Sequence, residues 1–426
     1  MISEIIEETD ADLQNSTIGN DRDSADRSSP VKEAKPFKKA MVGFIGIAIK
    51  NYPVYGKDGR YDGDLQNDRK HGKGIFDYTD GRKYEGDWAS DQRDGFGTMY
   101  KANSNIHYEG SWKKGKKHGP GKLFFESGET YEGTMQDDER TGKGKHYYLN
   151  GDIYDGDWIK NIRHGTGTFT LINGDRYSGE WNNDIIDGTG SYHHNNGDIY
   201  FGTFMQDKIQ GQGKLTSHDG WTYIGAWSNN KKHGQGTMLY ESGLTCYEGQ
   251  WENGTRCGQG AMWADTGDKL YEGNWLDDMM DSQGVHYYIN GDYYEGEFKS
   301  DKREGKGSYC FMNGDRYEGE WLDGVKHGTG NFYFVNNDKY EGGWKNDKRH
   351  GPAIVWCKDG ARFEGNFLED RIEGSGVLFY ATGKRYEGEF HDFMKHGNGT
   401  LFDADNKKRY EGEFSEDRMH GKGVYY

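Results

Sequence analysis

The histidines are the side chains of this sequence best suited to acid–base or metal chemistry, and many of them are evenly spaced. Eight of the 15 histidines lie ten residues after a tyrosine or phenylalanine that itself recurs every 23 or 24 residues. The eight are His71, His118, His164, His233, His327, His350, His396 and His420. Each of these eight periods supplies one histidine at this position, and no second histidine or cysteine converges on it, which does not match a zinc site. The spacing predicts a structural residue at the start of a strand, where it can bond a backbone carbonyl.

No other pattern stands apart as a catalytic or cofactor site. The G-x-G sequences precede predicted strands, whereas a phosphate-binding loop precedes a helix. The carboxylates near each recurring tyrosine share its period, which predicts a solvated acidic face. The four cysteines are scattered without a C-x-x-C pair, which favours a reducing compartment over a zinc site or a disulfide scaffold. We therefore expect no enzyme activity, no catalytic residue, no metal and no cofactor.

The elements that carry these residues are copies of one stretch, which reads YEGEWLDGVKHGTG at residues 317–330. We number each copy from its first aromatic residue as position zero. The sixteen copies start at Tyr61, Tyr84, Tyr108, Tyr131, Tyr154, Tyr177, Tyr200, Tyr223, Tyr247, Tyr271, Tyr294, Tyr317, Tyr340, Phe363, Tyr386 and Tyr410. Position two is Gly in every copy, and positions eleven and thirteen are Gly except at Ser282 and Ala353. Such self-similarity predicts a repeat array.

Each repeat is predicted to form two antiparallel strands. Tyr, Gly and Trp at positions zero, two and four share one face of a strand, and acidic residues share the other. Position four departs from an aromatic residue only at Leu65 and Met135. Pairs such as Asn150-Gly151 follow the second strand and predict type I′ turns. The predicted fold is all-β: an elongated, single-layer, twisted antiparallel sheet of tandem hairpins.

The glycines explain how such a sheet could bury its aromatic residues without a second layer. A strand glycine leaves a hollow beside it, so we expect the Tyr and Trp rings of neighbouring strands to lie against these hollows. A helical alternative fails, because frequent glycine costs about 1 kcal/mol per residue in a helix interior. We expect residues 61–426 to form one array, residues 1–39 a disordered polar tail, and residues 40–60 a cap strand region for the first repeat.

Charge and hydropathy limit the partners. A net charge of −17 argues against nucleic-acid binding. No apolar run is long enough to span a bilayer, and the first residues do not resemble a secretory signal. Lysine and arginine gather at positions eight and nine, which predicts either solvated hairpin tips or a basic edge for an acidic partner or anionic lipid. The candidate basic edge comprises Arg69, Lys70, Lys116, Lys117, Lys231, Lys232, Lys302, Arg303, Lys348 and Arg349.

Three further surfaces are candidates for binding. Phe201 and Ile224 replace the usual acid at position one, which indicates either sequence drift or an apolar partner patch. The last strand, within residues 410–426, has an edge that could pair with a second copy to form a homodimer. The aromatic face is represented by Trp88, Trp112, Trp158, Trp181, Trp227, Trp251, Trp275, Trp321 and Trp344.

The pattern Y-E-G-x-W-x-x-G-x-x-H-G-x-G resembles the MORN repeat, over residues 61–426. This resemblance implies a non-catalytic scaffold. Family members include junctophilins, plant phosphatidylinositol phosphate kinases, a SET-domain methyltransferase, radial spoke head proteins of cilia and protist cytoskeletal proteins. A chain made of little but repeats is most similar to the ciliary and protist members. The departures at Leu65, Met135, Ser282 and Ala353 interrupt the pattern locally and leave the expected fold unchanged.

Two functions follow as expectations. The first is a structural rod that binds proteins of a cytoskeletal assembly, in the cytoplasm and most specifically in the radial spoke head of a ciliary or flagellar axoneme. The second is an adaptor that binds phosphoinositides or a membrane surface through the basic edge and residues 40–50. The overall negative charge disfavours the second function, because it repels anionic membranes.

Overall fold

The computed structural model describes residues 54–426, and these residues form strands without any helix. Within this range, no helix is long and apolar enough to cross a membrane. The predicted polar tail and most of the predicted cap region, residues 40–53, lie outside the described residues. The remaining part of the cap region contains a short strand, Val54–Gly56, that pairs with the first repeat.

The strands follow one another with only short turns between them. They are β1 (Val54–Gly56), β2 (Gly59–Gln66), β3 (Arg69–Tyr78), β4 (Lys83–Ala89), β5 (Gln92–Tyr100), β6 (Ile106–Lys113), β7 (Lys116–Phe124), β8 (Thr130–Gln136), β9 (Glu139–Tyr147), β10 (Ile153–Ile159), β11 (Ile162–Thr170), β12 (Arg176–Asn182), β13 (Ile185–His193), β14 (Ile199–Met205), β15 (Lys208–Thr216), β16 (Thr222–Ser228), β17 (Lys231–Leu239), β18 (Thr245–Glu252), β19 (Thr255–Trp263), β20 (Lys269–Leu276), β21 (Met279–Tyr287), β22 (Tyr293–Lys299), β23 (Lys302–Cys310), β24 (Arg316–Leu322), β25 (Val325–Tyr333), β26 (Lys339–Lys345), β27 (Lys348–Trp356), β28 (Arg362–Leu368), β29 (Arg371–Ile372), β30 (Gly374–Phe379), β31 (Arg385–His391), β32 (Met394–Phe402), β33 (Lys408–Ser415) and β34 (Arg418–Tyr425).

These strands belong to two compact units, one with described residues 54–195 and 205–207, the other with residues 196–204 and 208–426. In the first unit, β1 to β13 pair antiparallel in chain order. In the second unit, β15 to β34 pair in the same way, and β28 pairs with both β29 and β30. The prediction of tandem antiparallel hairpins is confirmed.

The core of each unit includes a row of tyrosines that lie over paired glycines. Tyr317 is fully buried, and its hydroxyl donates a hydrogen bond of 2.9 Å to the carbonyl of Glu320. Gly319 and Gly330 face each other beneath this ring, and a Cβ at either position would collide with the Tyr317 hydroxyl. The same arrangement recurs in other repeats of both units, as at Tyr84 and Tyr154. The predicted hollows therefore exist, and the tyrosine ring occupies them.

The turns correct one part of the sequence analysis. The type I′ geometry lies at positions six and seven, where both residues have positive φ, as at Asn67 (49°) and Asp68 (61°). At Asn150-Gly151 only the glycine has positive φ, at 93°, and its N–H donates to the carbonyl of Tyr148. The prediction of type I′ turns at the Asn-Gly pairs was therefore wrong. Those glycines close a longer loop, whereas the two-residue loop at positions six and seven requires the type I′ twist.

Position seven also joins each repeat to the one before it. In the first unit, Asp184 Oδ1 accepts a hydrogen bond of 2.9 Å from the Arg163 N–H, and the Asp184 N–H donates to the Arg163 carbonyl at 3.0 Å. In the second unit, Asp370 and Arg349 form the same pair of bonds. A residue with a left-handed backbone and a short polar side chain thus connects neighbouring hairpin turns within each unit.

A bulge at position eleven leads to a stability prediction. Glycines at this position have positive φ, such as 82° at Gly351, and Ser282 adopts 58° in the same place. A non-glycine residue in this conformation costs about 1–2 kcal/mol. We expect Ser282→Gly to raise the free energy of unfolding of the second unit by about 1 kcal/mol, measured by denaturant titration. The matched control is Gly351→Ser, where an added Cβ meets nothing within 4 Å, so only the backbone cost should appear. Equal stability of Ser282→Gly and the wild type would contradict this account.

Candidate interaction surfaces

The nine candidate tryptophans lie in the core of their units. Their exposed fractions are only 2–7%, which leaves little ring surface for a partner. Trp321 packs edge to face on Tyr317 and Tyr294, with ring centres 5.2 Å apart in both pairs, and its indole N–H donates to the carbonyl of Gly307 at 3.2 Å. Edge-to-face packing of this kind adds to the stability gained from burial. The geometry gives these tryptophans a clear structural role.

The candidate basic edge separates into two rows. At position eight, Lys116, Lys231, Lys302 and Lys348 are exposed. At position nine, the side chains turn onto the aromatic face. The Arg303 guanidinium carbon lies 4.2 Å from the centre of a ring of Trp321, in the next repeat, and Arg349 lies 4.9 Å from Phe367. Position nine therefore forms cation–π contacts between repeats, and position eight remains available to a partner.

Lys232 is the most deeply placed of the position-nine cations. Its Nζ lies 4.7 Å from the ring centre of Trp251, 5.1 Å from Trp221 and 5.5 Å from Tyr223. Burial lowers the pKa of Lys232 to about 8. Lys117 and Lys326, which occupy the same position, also have pKa values lowered by burial. A cation enclosed in this way packs against the rings and is poorly placed to meet a lipid headgroup.

The face opposite the rings is acidic. In the second unit it forms an open groove of about 1060 Å³ whose lining includes Glu318, Glu320, Glu341 and Glu364. Position-one acids pair with the cation that directly precedes the tyrosine of their own copy, as in Lys339–Glu341 at 2.7 Å.

Position-three acids have a local function, which Asp157 illustrates in the first unit. Its Oδ2 accepts a 2.9 Å hydrogen bond from the Thr166 N–H at the bulge. Burial alone would raise the pKa of Asp157, but bonds from Lys143 and Thr166 hold it below its usual value. The periodic acids are thus partly engaged in the fold, with their remaining surface facing solvent.

Phe201 and Ile224, both in the second unit, are 58% and 46% exposed. Lys214 lies opposite Ile224 on the neighbouring strand. The two apolar side chains therefore remain accessible, and a partner patch at this place stays a prediction.

The recurring histidines form no metal cluster. Among residues 54–426, no group of three or more His, Cys, Asp or Glu side chains is placed to hold a metal ion. His327 lies opposite Glu320 and His396 opposite Glu389, both at the bulge. Within the residues that the structure describes, the Nδ1 atom of His327 is buried and has no hydrogen-bond partner. This atom therefore does not form the predicted bond to a backbone carbonyl.

The loop that follows the second strand of each repeat, here called the second loop, carries a structural group that the sequence analysis missed. Asp292 is only 9% exposed, and its carboxylate accepts bonds from the Met312 N–H (2.8 Å) and the Tyr309 hydroxyl (2.7 Å) of the next repeat. Burial would raise the pKa of Asp292, but these bonds and one from Asn290 hold it below its usual value. The signal was present in the recurring Asn-Gly-Asp sequence, where only the turn was considered.

The last strand of the candidate dimer edge, β34, pairs with β33, and its residues are exposed. A homodimer through residues 410–426 stays a prediction.

Comparison with known proteins identifies the repeat. The family model described as the MORN repeat matches sixteen consecutive segments. These are residues 61–81, 84–106, 108–130, 131–153, 154–176, 177–199, 200–222, 223–245, 247–269, 271–293, 294–316, 317–339, 340–362, 363–385, 386–408 and 410–426. No curated protein sequence gives a significant match.

Three solved structures that match the chain do so with low identity and low TM-scores. The TCP domain of SAS-4 (dCPAP) from Drosophila melanogaster, solved with a proline-rich motif of Ana2 (dSTIL), is 16% identical, with 41% of this chain and 87% of that chain covered and a TM-score of 0.22. The TCP10 domain of CPAP from Danio rerio, solved with a STIL peptide, is 10% identical, with coverages of 65% and 98% and a TM-score of 0.18. A virginiamycin B lyase from Staphylococcus aureus is 8% identical, with coverages of 71% and 89% and a TM-score of 0.12. Scores this low support no inference about function.

Proposed function

The chain belongs to the MORN-repeat family, whose repeats cover residues 61–426, and we propose that it is a non-catalytic scaffold of a cytoskeletal assembly. An all-β architecture made of such repeats is typical of structural and interaction proteins. Its partners are other proteins of that assembly, bound along the exposed surfaces of the array. No cofactor is needed for this function.

One observation carries the proposal: the charged side chains that could take part in binding or acid–base chemistry instead hold the repeats together. Arg303 covers a tryptophan of the next repeat, and Asp292 bonds the next loop. Position-seven side chains such as Asp370 bond the preceding hairpin. Each contact joins one repeat to its neighbour, as expected of arrays whose stability comes from nearest-neighbour interfaces. The repeating contacts support a mechanical and organising role.

The surfaces left for partners are mostly polar. They include the acidic groove near Glu318 and Glu341, the exposed lysines at position eight and the Phe201–Ile224 patch. Mixed polar surfaces with small apolar centres are typical of protein–protein contacts. The most specific form of the proposal places the chain in the ciliary axoneme, at the radial spoke head, and rests on the similarity to ciliary members made of repeats.

Localisation of the tagged full chain followed by detergent extraction tests this proposal. We expect the protein to remain with the insoluble axoneme or cytoskeleton after the membranes are removed. Release with the membranes, together with flotation on phosphoinositide liposomes at physiological salt, would instead support the lipid-binding adaptor. In that case Lys116, Lys231, Lys302 and Lys348 are the first residues to change, and the inward Lys117, Lys232, Arg303 and Arg349 provide the structural comparison. Recovery in the soluble cytosolic fraction would contradict both functions.

A further inference from the structure

Five consecutive second-loop tips in the second unit form a patterned ridge. The tips are the residues at position eighteen, and we call this set the tip ridge: Asp265, Ile289, Met312, Val335 and Lys358. The three central side chains are apolar yet strongly exposed, with exposed fractions of 101% for Ile289, 78% for Met312 and 65% for Val335. Asp265 and Lys358 at the two ends are also exposed. Exposed apolar groups that follow one another in this way mark an interaction surface.

The tip ridge is held in place by the loops beneath it. The Met312 N–H donates to Asp292 at 2.8 Å, the Val335 N–H to Asp315 at 2.8 Å, and the Lys358 N–H to Asp338 at 2.7 Å. Each acceptor belongs to the preceding repeat, so the backbone of these three tips is fixed relative to the neighbouring loop.

Two of the apolar side chains also pack on the preceding loop. Met312 lies over Gly291 in the loop of Ile289, and Val335 lies over Gly314 in the loop of Met312. Met312 and Val335 are thus each packed on the loop of the preceding repeat, whereas Ile289 projects fully into solvent at the end of this apolar run. Pre-organisation lowers the conformational cost of binding.

The order of residues along the ridge is complementary to its own reverse. An acid and a base occupy the two ends, apolar residues occupy the next places, and Met312 lies in the middle. We propose that the tip ridge is a homodimer interface, in which a second copy packs antiparallel about a two-fold axis through Met312. Asp265 then meets Lys358 of the second copy, Ile289 meets Val335, and Met312 meets its own counterpart. An isologous interface requires this kind of self-complementarity.

The opposite charges at the two ends of the ridge match those of a second copy, provided that it packs antiparallel. A parallel arrangement would place like charges opposite each other, whereas the antiparallel arrangement pairs opposite charges at both ends. Five tips span four repeats, about 40 Å at two strands per repeat and about 4.8 Å per strand. A contact of that length and the width of one loop buries on the order of 1,000 Å², at the lower limit for a specific interface. The dimer is accordingly expected to dissociate in the micromolar range.

Sedimentation velocity of the full chain over a range of micromolar concentrations tests the interface. We expect a monomer–dimer equilibrium whose dissociation constant rises at least about tenfold in Met312→Asp, since the substitution places two carboxylates at the centre. Asp265→Lys and Lys358→Asp should each weaken the dimer, and the double variant should restore it, because the ends are again complementary. Val424→Asp, on the exposed β34, is the control for the alternative dimer through residues 410–426 and should leave the equilibrium unchanged.

Cysteine cross-linking tests the direction of packing in a Cys357→Ser background, which removes the exposed native thiol. Under mild oxidation, Met312→Cys should cross-link to itself. Ile289→Cys and Val335→Cys should cross-link to each other in a mixture, but neither should do so alone. A chain that remains monomeric, a dimer unaffected by Met312→Asp, or a double charge variant without recovery would each overturn the interface. A monomeric chain that is still retained in the cytoskeleton would leave the proposed scaffold function intact.

Discussion

Replacing Tyr317 with alanine is expected to lower the free energy of unfolding of the second unit by about 3–5 kcal/mol, the usual loss when a large aromatic side chain is removed from a core. The ring packs edge to face on Trp321 and Trp344, with ring centres 5.2 and 5.1 Å away. It also covers Gly319 and Gly330, which have no side chains to fill the space that it leaves. The hollow would open to water and disrupt the contact between two repeats.

Tyr317→Phe separates the ring from its hydroxyl. It keeps the packing and removes only the 2.9 Å bond to the Glu320 carbonyl, so the expected loss is about 1 kcal/mol. Phe363 is the natural counterpart, since it occupies the same position without a hydroxyl. Denaturant unfolding measures the total change, and amide hydrogen exchange shows whether protection is lost in the two repeats on either side. Equal losses in the alanine and phenylalanine variants would show that the hydroxyl, not the ring, dominates.

The Tyr–Gly core could be predicted because its cause is local. Alternation along a strand places positions zero, two and four on one face, and a glycine between two rings leaves a hollow regardless of the rest of the fold. Antiparallel pairing then follows from short connections. For Tyr317 and Gly319, the sequence was sufficient to predict both the face and the neighbour.

The turns were predicted less well, because each repeat has two loops and the residue pair typical of a type I′ turn lies in the wrong one. Asn150-Gly151 has the composition of a type I′ turn, but the loop around it is longer than two residues, so only Gly151 adopts positive φ. Asn67-Asp68 lies in a true two-residue loop and therefore takes both positive φ angles. Loop length depends on where each strand ends, which is set by pairing with other strands and not by the dipeptide.

The orientation of side chains at the candidate sites also depends on strand pairing and was not predicted. Arg303 has the charge and position of a solvated hairpin tip, yet its guanidinium turns onto Trp321 of the next repeat. The sequence shows that the two residues recur with one period, but not that they lie on the same side of the sheet. The bulge at position eleven shifts the register of this hairpin, so that Arg303 pairs with Phe298 at position four and shares its face of the sheet. Lys302, one residue earlier, keeps its exposed place.

Replacing Lys232 with methionine is expected to stabilise the second unit at pH 7 and to remove a pH dependence. Burial lowers the pKa of Lys232 to about 8, whereas an unfolded lysine titrates near about 10.4. Between these values the unfolded chain binds more protons than the folded chain, so stability of the wild type rises with pH. The full rise is up to about 3 kcal/mol, at about 1.4 kcal/mol per unit of pKa difference. Cation–π contacts with Trp251 and Trp221 offset part of the cost of the buried charge.

The measurement is denaturant unfolding of the wild type and Lys232→Met between pH 7 and 9.5, with the difference between them plotted against pH. Methionine already occupies position nine at Met280 and Met419, so this position of the repeat accepts a methionine side chain. The upper limit matters because burial also raises the pKa of core tyrosines such as Tyr223, and their stabilising contribution is lost as pH rises above about 10.

Lys231→Met, at the exposed neighbouring position, should stay within about 0.5 kcal/mol of the wild type throughout. The advantage of Lys232→Met should be largest at pH 7 and shrink as pH rises, because the wild-type lysine then loses its proton. Parallel curves for the two proteins would show that Lys232 keeps an ordinary pKa, and that the rings around it hold a fully charged ammonium without penalty.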